Sequence, residues 1–502
     1  MPDPSSQGGG TLDLRGRRLL VVGLAREGTA LARYLAGQGA HVVATDLKPP
    51  KAFGDELTPL AEAGVDLVLG NHPSSLLDDC EVVFVSPGVP FDAPFLVEAR
   101  ARGRPLSAES RLFCQLCPAP IAAITGSSGK TTTTALVGEM SRADGRTIWV
   151  GGNIGQPLIE RLDQIRLDDN VVMELSSFQL EYFHPSANDH ATGYDPMWLP
   201  LLAGWSPAVA AVLNVTPNHL DRHPSMEAYV HAKRALVAYR RPGDVAVVGL
   251  DSDITRAMGL GLAGRVRWFS REASVTDGAC LAGEGPDAKV ILQSTAGVRR
   301  VCRVSDIQLR GDHNVSNVLA ACAIADTMGV SIKAMRSVAT TFTGVEHRLE
   351  LVGEVRGARY YNDSIATSPE RLVAALRSFD EPIVLLAGGR DKHLPWDEAA
   401  HLMLERTRHV VLFGEAVELI ARAIEVEREK LGTKAGGEPM LHRCVTLEDA
   451  VAVAAQVAHP GDVVLLAPGC TSFDAFKDFA ARGEQFRELV KQVTSNRWQV
   501  AK

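Results

Sequence analysis

The side chains best suited to chemistry gather in the run "AITGSSGKTTTT", residues 123 to 134. An apolar stretch enters a Gly-Ser-Ser-Gly turn (Gly126, Ser127, Ser128, Gly129) and leaves through Lys130, Thr131 and Thr132 into a helical pattern. In a strand, loop and helix of this kind, backbone N–H groups of the loop and the helix N-terminus point at phosphate oxygens. Lys130 would add a charge at the β- or γ-phosphate, and Thr131 a hydroxyl ligand for Mg²⁺. The longer phosphate-loop pattern G-x-x-x-x-G-K-[ST] begins with a glycine, where this chain has Ile124. The loop is therefore a shortened form, and phosphate binding is the first expectation.

A magnesium site needs oxygen ligands beyond one hydroxyl. Glu174 closes the apolar run "VVME", where a carboxylate is costly unless paired or coordinated. His219, in "NVTPNHLDRH", follows another apolar run, and beside a nucleotide it is a candidate metal ligand. Lys233 falls in the helical pattern "MEAYVHAKRAL" and by itself reads as part of a solvated helix face. An ammonium cannot ligate Mg²⁺, so a metal role would require its conversion to an anion.

Upstream, "VVGLAREGTALARYLAGQGAHVVATD" runs strand, glycine turn, helix, strand. Gly23 and Gly28 occupy the outer glycines of G-x-G-x-x-G, but Ala25 stands where a second glycine would let backbone approach a pyrophosphate. The pattern favours a Rossmann-like unit for a nucleotide other than a dinucleotide, with Asp46 as acceptor for a base or ribose. The Ser-Pro-Gly turn of "VFVSPGVP" ends a further strand at the edge where open α/β sheets bind ligands.

These loops require parallel strands to position them, and strand-like runs alternate with helical patterns through most of the chain, the signature of βαβ units. The expected fold class is α/β in three domains, residues 1–115, 116–345 and 346–502, the central one carrying a mostly parallel sheet. Residues 186–207 read as a surface loop or insertion. With 52 basic and 60 acidic residues the net charge is −8, which argues against nucleic acid and anionic membranes as partners. The eight cysteines show no disulfide spacing and suit a reducing cytosol. "MPDPSSQGGG" has no apolar core and no long apolar run follows, so neither a secretory signal nor a membrane span is expected, and the location expected is cytoplasmic.

The motifs "AITGSSGKTTT", "GGNIGQP", "ELSSFQLE", "NVTPNHLDRH", "YVHAK", "GDHNVSN", "TFTGVEHRLE" and "NDSIATSPE" occur in the order found in the Mur ligases, ATP-dependent amide-forming enzymes of peptidoglycan synthesis. The resemblance spans nearly the whole chain. The start "GLAREG" and the end "APGCTSFDAFKDFAARGEQF" resemble the branch that joins UDP-N-acetylmuramoyl-L-alanine to D-glutamate. It implies a Rossmann-like N-terminal domain for UDP, a central ATPase and a Rossmann-like C-terminal domain, acting as a monomer. It also implies an acyl phosphate made from ATP and the substrate carboxylate.

Carried over by motif, Lys130 clamps the γ-phosphate, and Mg²⁺ sits on Thr131 and Glu174, with a second ion near His219 and a carbamylated Lys233. Arg26, Glu27, Asp46, Leu47, Gly88 and Asn153 fall at UDP-substrate contacts. Asn317 matches an adenine contact, and Arg348 and Asp363 match ribose and phosphate contacts. Thr367, Lys392, Ser472 and Phe479 match positions that hold the incoming glutamate.

Three residues depart from the family pattern: Ile365 replaces a lysine, Ser128 an asparagine and Leu47 a polar uracil neighbour. Ile365 leaves L-glutamate open as an alternative substrate. A non-catalytic nucleotide-binding regulator is a further alternative, although it would not need Lys130, Glu174, His219 and Lys233 together. Folylpolyglutamate synthase shares the short loop but not the Rossmann-like start, and Ala25 speaks against a nicotinamide-dependent dehydrogenase.

Overall fold

Runs rich in Val, Ile, Leu and Ala form the strands, and those at the sheet centres are buried along their whole length, as parallel strands covered on both faces must be. The computed structural model describes residues 12–54, 57–185, 195–218, 222–309, 311–392, 394–431 and 439–495. The chain divides into two compact units, one through Phe342 and one from Thr343.

The first unit holds two sheets. One is five-stranded and parallel, built from β1 (Arg18–Val22), β2 (His41–Asp46), β3 (Asp66–Leu69), β4 (Val82–Val85) and β5 (Leu106–Ser107) in the order β3-β2-β1-β4-β5. The other contains β6 (Ile121–Thr125), β7 (Ile148–Gly152), β8 (Asn170–Glu174), β9 (Val209–Val212), β10 (Val245–Gly249), β11 (Arg265–Ser270), β12 (Gly278–Ala282), β13 (Lys289–Ser294) and β14 (Gly297–Arg303). Its order is β14-β13-β12-β11-β10-β9-β6-β8-β7, with the only antiparallel pairs among these strands at the β12-β13-β14 edge. The second unit has β15 (Glu350–Val355), β16 (Ala358–Asn362), β17 (Ile383–Gly388), β18 (Thr407–Phe413), β19 (Met440–Arg443) and β20 (Val463–Gly469) in the order β15-β16-β20-β17-β18-β19. Among these strands, only the β15-β16 pair is antiparallel. The α/β class with three mostly parallel sheets is thus as the sequence led us to expect.

One apolar cluster runs without a break from Phe84 of the first sheet and Leu31 of the helix Arg26–Gly37 through Phe113 to Met173 of the second sheet and Phe183 and Trp198 in the turns beside it. The helix Glu109–Leu116 lies inside that shared core, where the fully buried Arg111 donates to the carbonyls of Pro200 (2.6 Å) and Ala203 (3.1 Å). Burial lowers the Arg111 pKa to about 10. This changes the reading of residues 186–207. Residues 186–194 lie outside the described residues, but 195–207 form no simple surface loop: Trp198 is 1% exposed and Asp195 pairs with Arg17 at 2.7 Å. The eight cysteines are unpaired by disulfides, including Cys114 and Cys117, both buried. Among the described residues, no helix is long and apolar enough to cross a membrane.

Candidate active site

Parallel register places the carboxyl ends of four strands side by side: Ile124 of β6 pairs with Glu174 of β8, Gly152 of β7 with Glu174, and Thr125 of β6 with Val212 of β9. The loops leaving these ends build the site. Residues 126–129 turn from β6 into the helix Lys130–Ala143, whose N-cap Gly129 has φ +79°. A Cβ at Gly129 would come within 2.2 Å of Asn317 Oδ1, so the position excludes a side chain sterically as well as conformationally.

Lys130 folds back over its own loop, donating to the carbonyls of Gly126 (2.9 Å) and Ser127 (3.2 Å). Lys233 reaches the same Gly126 carbonyl at 2.9 Å and lies 3.4 Å from Thr125 Oγ1. Lys233 is only 1% exposed, which corrects the expectation of a solvated helix face. The helix Met226–Ala238 sets Tyr229 and Lys233 one turn apart on the face toward the loop, with the ammonium 4.7 Å from the Tyr229 ring centre. Burial first, and Lys130 second, hold the Lys233 pKa well below the usual lysine range, while Glu174 opposes them.

Glu174 is 2% exposed; its Oε1 accepts from Asn153 Nδ2 at 2.8 Å, and its Oε2 is buried with no partner among the described residues. Asn153 therefore meets the carboxylate, a contact not foreseen from its motif. His219 lies outside the described residues. Thr131 and Thr132, in the first helical turn, are half-buried. Asn317 donates to Asn314 at 2.9 Å and has the Thr133 hydroxyl at 3.5 Å. Among the described residues, no three His, Cys, Asp or Glu side chains gather closely enough to hold a metal ion by themselves.

Sequence reasoning passed over Asn214, in "LNVTPN" after β9. Its Oδ1 accepts from Ser128 N at 2.9 Å, its Nδ2 donates to Ser128 O at 3.2 Å, and its carbonyl accepts from Ser127 N at 2.9 Å. The Ser127 hydroxyl in turn exchanges hydrogen bonds with the Thr216 backbone, both at 2.9 Å. The loop is thereby tied to the strand beside it at both serines. An asparagine after a β-strand was the available signal.

In the first sheet, Asp46 closes the end of β2 by accepting from Leu24 N (2.7 Å) and Lys48 N (2.8 Å), so its carboxylate braces two loops. A cavity of about 560 Å³ is lined by Ala25, Arg26, Arg33, Lys48, Phe53 and Gln156, among others. Arg26 donates to the Gly155 carbonyl at 2.6 Å. Leu47 is 66% exposed and Gly88 is exposed as well. Glu27 is buried, accepts from Gln179 Nε2 at 3.0 Å, and is pushed up to about 7 by burial.

In the second unit, Asp363 is buried, accepts from Leu349 N at 3.1 Å and is raised to about 6 by burial. Arg348 stands between His347 and Leu349, which adopt φ of +62° and +42°. Lys392 donates to Thr367 Oγ1 at 3.3 Å, and burial lowers its pKa. Phe479 begins the helix Phe479–Thr494, and its carbonyl accepts from Ser364 Oγ at 2.8 Å. Ser472 is 2% exposed. A second residue that sequence reasoning missed organises this cluster: the buried Arg482 donates to Ser364 Oγ (3.0 Å) and to the carbonyls of Ser364 (3.0 Å), Cys470 (3.2 Å) and Thr471 (3.1 Å). Phe479, through Ser364, and the Cys470–Thr471 turn beside Ser472 are thus drawn to one guanidinium. The signal was an arginine inside "DFAARGEQF".

Family models match along the chain: a Mur ligase MurD-like N-terminal domain at residues 17–107, a Mur ligase middle domain at 198–325, and a Mur ligase glutamate ligase domain at 347–470. A protein of Symbiobacterium thermophilum named UDP-N-acetylmuramoylalanine--D-glutamate ligase is 40% identical over 483 residues, covering 95% of this chain and 98% of that relative. One of the same name from Acetivibrio thermocellus is 38% identical, covering 96% and 97%. Among solved structures, a UDP-N-acetylmuramoyl-L-alanyl-D-glutamate--2,6-diaminopimelate ligase matches with TM-score 0.51 at 18% identity, over 90% of this chain and 93% of that one, a likeness of fold.

Proposed function

We propose, from the premise that this chain belongs to the Mur ligase family, that it is an ATP-dependent ligase joining D-glutamate to UDP-N-acetylmuramoyl-L-alanine in peptidoglycan synthesis. The observation that carries this reading is the near full-length likeness to relatives bearing that name. Free buried cysteines fit a reducing, cytoplasmic setting for it.

In the first step a carboxylate oxygen of the alanyl group attacks the γ-phosphorus and the bond to ADP breaks, leaving an acyl phosphate. In the second the glutamate nitrogen attacks the acyl carbon. The tetrahedral intermediate expels phosphate, and the nitrogen loses a proton. Little covalent work falls to the protein, so positioning and charge neutralisation dominate. The loop 126–129 and the helix N-terminus offer N–H groups to phosphate oxygens, and Lys130 swings from its loop carbonyls to the γ-phosphate. Asn214 keeps the loop in shape for this, and Asn153 holds Glu174.

The buried, unpartnered Glu174 Oε2 fits a cation as its missing partner. Thr131 and Glu174 would hold Mg²⁺, with His219 and Lys233 holding a second ion, and the metal would offset charge on phosphate oxygens. A lysine disfavoured as the ammonium is a nucleophilic amine: its nitrogen bonds to the carbon of CO₂, a proton is released, and the resulting carbamate is the anion a ligand must be. Arg26, Glu27, Asp46, Leu47, Gly88 and Asn153 are assigned to the UDP substrate; the 560 Å³ cavity with three cations suits a diphosphate-linked nucleoside. Asn317, Arg348 and Asp363 are assigned to the nucleotide, and Thr367, Lys392, Ser472 and Phe479 to glutamate.

The test is phosphate release and product mass with UDP-N-acetylmuramoyl-L-alanine, ATP and Mg²⁺, with D- or L-glutamate in separate reactions. Product from the D-isomer alone is expected. Product from the L-isomer would move the assignment to the alternative substrate, and no release with either would overturn it.

A further inference from the structure

The helix Met226–Ala238 carries both Tyr229 and Lys233, and its entry is held by His223. Ser225 is the N-cap, its hydroxyl accepting from Ala228 N at 3.2 Å, and only Pro224 separates this cap from His223, so the chain has little slack there. The His223 ring is buried and grips the segment that leaves β8 at two points: Nε2 lies 2.9 Å from Ser177 Oγ, and Nδ1 lies 3.3 Å from Glu181 Oε1. A neutral ring protonated at Nδ1 donates to the carboxylate and accepts from the hydroxyl, so one tautomer serves both contacts. Ser177 opens the short helix Ser177–Leu180, three residues beyond Glu174.

The faces of the ring are used as well. Phe178 stacks on it with 5.3 Å between centres and 11° between planes, and the Arg222 guanidinium lies 4.7 Å from the Phe178 centre while donating to the Pro87 carbonyl at 3.3 Å. The Tyr229 ring stands 5.1 Å from the His223 ring, inclined at 54°. Both distances fall in the range over which aromatic pairs attract. Two polar contacts fix the plane of the imidazole, and a fixed plane sets how Tyr229 packs against it.

Tyr229 in turn meets the phosphate loop. Its hydroxyl lies 3.0 Å from the hydroxyl of Ser127, and its ring centre is 4.7 Å from the Lys233 ammonium. The β8 exit, the helix entry and the loop that faces phosphate are thus joined through one imidazole and one phenol. An error of about 1 Å in such a support can cost about a hundredfold in rate without touching a reacting atom.

We propose that His223 is a positioning residue of the nucleotide site: tethered by Ser177 and Glu181, its ring sets the angle of Tyr229, and Tyr229 carries that setting to Ser127 in the phosphate loop and to Lys233. The inference rests on the proposed ATP site and not on which amino acid is joined.

The test is calorimetric titration of the ATP analogue AMPPNP with Mg²⁺ into the full chain, which reads the loop without turnover, with melting temperature followed in parallel. His223→Gln keeps an amide for Ser177 but no ring, and His223→Phe keeps a ring but neither polar contact; each should bind about tenfold more weakly. Tyr229→Phe, which loses the hydroxyl facing Ser127, should do the same. His223→Phe combined with Tyr229→Phe decides the route: a shared path leaves the double variant about tenfold weaker, and independent paths about a hundredfold. A residue that only fills the core would lower the melting temperature and leave affinity in place. Unchanged affinity in the His223 variants, or a hundredfold loss in the double variant, would overturn the inference while the ATP site stands. No binding by the unmodified chain would overturn the ATP site and the inference with it. If His223→Phe does not fold, the same cycle with His223→Gln decides.

Discussion

Lys130 and Lys233 donate to one oxygen, the Gly126 carbonyl, each at 2.9 Å. Two cations on one acceptor, one of them nearly inaccessible, form an arrangement that favours neutral Lys233 and gives an incoming phosphate a reason to draw Lys130 away. Most of the expected chemistry follows from this pair.

Lys233→Ala should lower turnover about a hundred- to a thousandfold, the scale for losing a charged group beside a transferring phosphoryl. Acetate or formate at high concentration should restore part of it by standing in the place of the carbamate. Steady-state phosphate release with and without the added acid checks this; a variant with full activity would remove Lys233 from the site.

Asn214→Ala removes all three side-chain bonds to Ser128. The fold should lose about 1 kcal/mol, while KM for ATP rises about tenfold because the loop is no longer held ready for phosphate. Asn214→Asp, which keeps the acceptor for Ser128 N but adds a negative charge near phosphate, should damage ATP use without matching the loss in stability. Denaturant melts and ATP titrations separate the two.

Glu27 is raised to about 7 from an ordinary 4.5, chiefly by burial, so the folded state binds protons that the unfolded chain has released. Its contribution to stability is fully present below about pH 4.5 and is lost as pH rises through 7. Glu27→Gln, which retains an oxygen for Gln179, should therefore melt about 3 °C or more above the unmodified chain at pH 8, the gap closing as pH falls toward 5. The same variant should bind the UDP substrate more weakly, if Glu27 contacts it as proposed.

Ile365 removes a lysine from the family pattern, yet Arg371 Nη1 donates to the Ile365 carbonyl at 3.1 Å, bringing a cation to that place. Arg371→Ala should lower kcat/KM for glutamate about tenfold, and Ile365→Lys in that background should recover part of the loss. Kinetics of these two variants beside the unmodified chain decide whether Arg371 substitutes for the missing lysine.

The parallel sheets were legible because "IAAIT", "VVME" and "VAAV" are runs buried on both faces, and Glu174 was legible as a carboxylate that such a run could not tolerate without a role. Lys233 was not: one lysine in an amphipathic pattern looks solvated until its helix is packed against the end of β6. Asn214 and Arg482 escaped for a related reason. Their partners lie 86 and 118 residues away, at Ser128 and Ser364, and no local periodicity encodes such a pairing. Trp198 was hidden by the Gly- and Pro-rich surroundings that made 186–207 read as a surface loop.

The central claim is that ATP activates the substrate carboxylate as an acyl phosphate. It is tested most directly with UDP-N-acetylmuramoyl-L-alanine carrying ¹⁸O in both carboxylate oxygens, ATP, Mg²⁺ and D-glutamate, and mass analysis of the products. The account predicts one ¹⁸O in each released phosphate and one retained in the new amide; unlabelled phosphate, with both labels kept or lost elsewhere, would contradict it.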